Sequence, residues 1–126
     1  MEISENERLI LIKKKEEIAE LTSEILNIYR KPEHADEVKA KISKILSNIS
    51  TISWYSSSKN GGIDTLVMRA CQINDVMEKE GWSWDFVIKD VDEFCVLANA
   101  IQIEFTNSGL NIHIPKVEIP VFQVKL

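Results

Sequence analysis

The stretch VKAKISKILSNISTI, residues 38–52, decides how this chain folds. Counted from Ala35 just upstream, its apolar positions Val38, Ile42, Ile45, Ile49 and Ile52 step by three and four without a break. That is the spacing of one helix face, so the segment predicts an amphipathic helix with a single buried stripe. Upstream, Leu11, Ile18, Leu21, Ile25 and Ile28 keep the same period. Ser4 with Glu7 three residues later has the pattern of a capping box and starts that helix, and Lys31-Pro32 stops it. Pro32 then suits the first turn of the next helix. Two near-heptad stripes joined by so short a connection predict an antiparallel helical hairpin over residues 1–58.

Downstream, Ser56-Ser57-Ser58-Lys59-Asn60-Gly61-Gly62 is the one clear break, with a linker at 59–63. Asp64 is expected to cap a third helix carrying Leu66, Ala70, Ile73 and Met77 on one face, with Gly81 at its end. Asp90 with Glu93 repeats the capping pattern ahead of Phe94, Leu97, Ala98, Ile101 and Phe105, and Asn107-Ser108-Gly109 closes that helix. Val87 and Val91 extend the stripe backwards, so the fourth helix starts as early as Ser83. Two helices are therefore expected over 64–108. After Gly109 the period changes: Leu110, Ile112 and Ile114 alternate with Asn111 and His113, as in a half-buried strand. Pro115 and Pro120 forbid a central strand, so 109–126 reads as an edge strand or extended tail. The expected fold is mainly α: one domain, a four-helix bundle with a short C-terminal β or extended segment.

At 126 residues, with 44% hydrophobic and 28% charged side chains, the chain is large enough to bury a core without metals or disulfides. Cys71 and Cys95 lack CxxC spacing and read as two small core hydrophobes in a reducing compartment. The acidic start Glu2-Ile3-Ser4-Glu5 has no basic or apolar leader character, and the run Leu9 to Ile12 is far too short to span a bilayer. A cytoplasmic protein is expected, in which the sequon Asn48-Ile49-Ser50 carries no meaning.

Chemistry is sparse. The two histidines, His34 and His113, have no partner at metal-ligand spacing; His34 reads as part of an acidic first helical turn and His113 as a strand-surface residue. Lys59-Asn60-Gly61-Gly62 has the wrong order for a phosphate loop, and no GxSxG, GxGxxG, HExxH or EF-hand spacing occurs. Neither a cofactor nor a metal is expected, and the chain is read as non-enzymatic.

Charge is the informative feature. Residues 61–106 hold nine acids against three bases, although the whole chain is only −5. Lys13-Lys14-Lys15, the one basic run, is followed by Glu16-Glu17 and reads as helix-surface pairing, so nucleic-acid binding is disfavoured. Within the acidic block Asp75, Glu78, Glu80 and Asp85 surround Trp82 and Trp84. Carboxylates that steer and indoles that anchor predict a face for a basic protein partner. An inhibitor, an immunity or antitoxin-like protein, or a chaperone-like protein fits that description by analogy of class. The alternatives are an oligomerising or structural subunit, with a homodimer as its simplest form, and a small enzyme with a pocket between the helices.

Overall fold

A computed structural model describes residues 2–56, 61–79, 83–107 and 109–115. Four helices and a two-stranded sheet follow in order: α1 (Glu5–Ile28), α2 (Ala35–Trp54), α3 (Gly61–Glu78), α4 (Trp84–Asn99), β1 (Gln102–Thr106) and β2 (Gly109–His113). Each of the first three helices buries the stripe its spacing predicts, except that Ile28 and Met77 at the stripe ends are half-buried. Val38, Ile42, Ile45 and Ile52 of α2 are completely enclosed, as are Ile25 of α1 and Leu66, Ala70 and Ile73 of α3. Packing runs α1 against α2, α1 against α4 and α3 against α4, with a lighter contact between α2 and α3. The helices therefore form a bundle with α1 and α3 on opposite corners.

The helix ends show how local chemistry places these elements. Ser4 Oγ accepts from the Glu7 amide at 3.2 Å while the Glu7 carboxylate accepts from the Ser4 amide at 3.1 Å, the reciprocal box expected. Those bonds, joined by one from Tyr55 at the end of α2, hold the Glu7 carboxyl below the usual carboxylate range. Pro32 opens a short 3-10 turn, Pro32–His34, and His34 Nδ1 lies 3.4 Å from Glu37 in the first turn of α2. Two buried polar side chains satisfy themselves across helices: Asn48 Nδ2 donates to the Lys14 carbonyl at 3.3 Å, and Thr22 Oγ1 pairs with Asn99 Oδ1 at 3.0 Å. Asn48 is thereby enclosed in the α1–α2 seam.

Three boundaries differ from expectation. Asp64 is not the cap of α3; the helix starts at Gly61, so Asp64 sits in the first turn, where its charge complements the helix dipole. Asp90 and Glu93 do not start α4 either. The helix begins at Trp84 with Ser83 as its N-cap residue, the early start to which Val87 and Val91 pointed, and both acids lie within it. The third difference concerns Ile101 and Phe105, expected on a helix reaching 108. The helix stops at Asn99, and residues 102–106 become a strand instead. Ile101, Ile103 and Phe105 also alternate with Gln102, Glu104 and Thr106, so the segment satisfies both periods. Pairing with β2 settles it: Ile103 faces Ile112 and Phe105 faces Leu110 in antiparallel register. Gly109 follows the turn with φ of 151°, a region that glycine enters without a Cβ penalty.

Leu110 and Ile112 are buried, as their alternation predicts, and the Leu110 amide donates to the Tyr55 carbonyl at 3.3 Å. The hairpin thus closes the end of the bundle where α1 begins and α2 ends, and Arg8 stacks over the Phe105 ring at 5.2 Å. The expectations for Gly81 and for residues 116–126 lie outside the described residues. Among those described, no helix is long and apolar enough to cross a membrane.

At the opposite end the indole N–H of Trp84 donates to the Tyr29 carbonyl. Removing one partner of a buried hydrogen bond strands the other, at a cost of ~1–3 kcal/mol. Trp84→Phe is expected to lower unfolding stability by that amount, read from the urea midpoint. An unchanged midpoint would show that the carbonyl does not depend on the indole.

Candidate partner-binding face

Of the residues expected to meet a partner, Trp84 needs correction. Its side chain is only 5% exposed, packed in the core beyond the reach of another macromolecule. The reason is helical phase. With α4 beginning at Trp84, residues 84, 87, 91, 94 and 98 form one unbroken inward stripe, and the indole is its first member. Glu80 and Trp82 lie outside the described residues. Asp75 and Glu78 on α3 and Asp85 in the first turn of α4 are exposed, as the reading of the sequence requires.

The acidic block is not one surface. Glu78 lies 3.9 Å from Lys39 of α2. Asp90 and Glu93 turn toward Arg69 of α3, at 3.5 and 3.0 Å, and are half-buried there. Asp92 faces the other way and hydrogen-bonds the Tyr29 hydroxyl, whose pKa is raised first by burial and then by this carboxylate. Four carboxylates are thus engaged between helices, leaving, among the described residues, Asp64, Asp75 and Asp85 as the unpaired solvent-facing acids of α3 and α4.

A different grouping emerges on the outside of α3. At 100° per residue, positions 64, 68, 71, 75 and 78 form a stripe directly opposite the buried Leu66, Ala70 and Ile73. All five are exposed: Asp64, Met68, Cys71, Asp75 and Glu78. Met68 is 61% accessible, with Val67 alongside. A carboxylate therefore stands at one end of a short apolar strip and two at the other. The 4-3-4-3 spacing is present in the sequence, but a search for aromatic anchors passes over a methionine. Among the described residues two aromatics are also exposed, Phe86 beside Asp85 (73%) and Trp54 at the end of α2 (76%).

Along the hairpin, part of the surface charge is taken up by pairing. The groove across the α1–α2 seam is lined by Glu17, Glu20, Glu24, Lys41 and Lys44, and it carries Lys41–Glu24 at 2.8 Å and Lys44–Glu17 at 3.1 Å. Among the described residues no three His, Cys, Asp or Glu side chains are grouped to hold a metal ion. The two thiols differ sharply. Cys71 is exposed rather than in the core, because it falls on the face of α3 opposite Leu66, Ala70 and Ile73, whereas Cys95 is a core residue and burial, reinforced by Asp92, pushes its thiol up to about 12.

A disulfide-exchange reagent at neutral pH should therefore label one thiol per folded chain, at Cys71, and a second only after denaturation. Two fast thiols in the native protein would contradict this placement. Compared with known proteins, the chain matches no family model, no curated protein and no solved structure.

Proposed function

We propose that this chain is a non-enzymatic protein-binding module that masks a basic partner, and that the outer face of α3 makes the contact. The observation that carries this reading is the exposed stripe Asp64, Met68, Cys71, Asp75 and Glu78, an apolar centre between acidic ends. Carboxylates on an exposed helix face steer a positively charged surface into encounter and penalise acidic competitors. Methionine supplies adaptable apolar contact once water is excluded. Phe86 and Asp85 offer a second anchor and a second charge on the neighbouring helix. Inhibition, immunity to a toxin, or chaperoning are the roles in which such a face serves. A structural subunit of a larger assembly is the second reading, favoured by a separate exposed apolar group on α1 comprising Leu9, Ile10 and Ile12.

Affinity capture from the native source tests the first reading. The wild-type chain should retain a protein of high isoelectric point at low salt and release it as salt rises. Asp64→Lys with Asp75→Lys should lose it, by tenfold or more in retained amount, with the helical circular dichroism unchanged. Equal capture by the double variant, or a partner that is itself acidic, would overturn the reading.

A further inference from the structure

Two helices of this bundle carry the same pattern on their outer faces. On α1, Glu5, Leu9, Ile12 and Glu16 are all exposed and lie opposite the buried Leu11, Ile18 and Ile25. On α3, Asp64, Met68, Cys71 and Asp75 repeat it. Both read acid, apolar, apolar, acid at steps of four, three and four, the spacing of a coiled-coil seam. The pattern is a palindrome in position and in charge. If the α1 or α3 face of one copy were laid on either face of a second, carboxylate would meet carboxylate at both ends, whether the helices ran parallel or antiparallel. Like charges placed opposite one another across an interface oppose association. A second copy of this chain is therefore a poor occupant of either face.

The flanks separate the two faces. Around the α1 seam stand Arg8, Lys13 and Lys15, whereas the α3 stripe is bordered by Lys79 and, at its Glu78 end, by Lys39, whose charge Glu78 offsets. A basic partner is accepted by α3 and repelled by the flanks of α1.

We propose that the occupant of the outer face of α3 is an amphipathic helix of another protein, with Lys or Arg at positions i and i+11 and aliphatic residues at i+4 and i+7. This rests on the basic-partner reading above and adds the shape and register of what binds. The bases lie opposite Asp64 and Asp75, about 16 Å apart along the helix axis. The aliphatic pair packs on Met68 and Cys71, helix against helix along a coiled-coil seam.

The test uses the full chain and two capped, alanine-rich peptides of about 18 residues, with Leu at i+4 and i+7 and either Arg or Glu at both i and i+11. Titration calorimetry should show the Arg peptide binding at least tenfold more tightly than the Glu peptide. Asp64→Lys with Asp75→Lys should reverse that preference, Met68→Glu should abolish binding of the Arg peptide, and Leu9→Lys with Ile12→Lys on α1 should change nothing. Equal affinity for the two peptides, no binding of either, or full binding by the Met68→Glu chain would overturn the proposal. If the peptides fail while the Asp64→Lys, Asp75→Lys chain still loses its captured protein, the helical occupant falls and the basic-partner reading stands. If capture survives that double substitution, the reading itself falls.

Discussion

The seam between α1 and α2 is the constraint on which everything else rests. Isoleucines at 18 and 25 on one helix and at 42, 45, 49 and 52 on the other exclude water along the length of the hairpin. Each such side chain contributes roughly 1.5–3 kcal/mol on burial, so a mismatch of one helical step would forfeit several contacts together. Register is further held by Asn48 reaching the Lys14 carbonyl and by Lys44 and Lys41 pairing with Glu17 and Glu24. The exposed ion pairs add little energy individually, but they favour one alignment. Against this platform α4 packs through Val87, Val91 and Phe94, and α3 is carried mainly by α4.

That hierarchy explains which face is free. α3 has one close neighbour and one light contact, so its outer stripe is covered by nothing within the described chain. Its inner edge, by contrast, is tied down. Arg69 reaches Asp90 and Glu93 of α4, using up carboxylates that composition alone would credit to a recognition surface. The negative charge of residues 61–106 thus divides between structural pairing and solvent-facing acids, and only the second kind can steer a partner.

Trp84 makes the same point for aromatic side chains. Beside an acidic run it suggests an anchor for another protein, yet its helical phase with Val87 and Val91 makes it a core residue. The phase was legible in the sequence once the helix was started at Ser83. Asp90 and Glu93 mislead as a cap, because two carboxylates at that spacing serve equally as a helix start and as a pair of ligands for a neighbouring guanidinium. Phe86 shows the converse, a large ring left in solvent. Single apolar residues in solvent are common, so exposure becomes informative only where several share a face with charge, as on α3.

What the sequence by itself determined was the set of helices and their inward faces. A period of 3.6 residues is a local property, and stripes such as Val38 to Ile52 leave the backbone no other way to bury them. Tertiary structure decided the rest. Residues 101–106 fit a helix and a strand equally, and only β2 lying alongside supplied the hydrogen bonds that selected the strand. Whether a given carboxylate faces water or a cation depends on which helix lies next to it, and helix neighbours are set by long-range packing that no local spacing encodes.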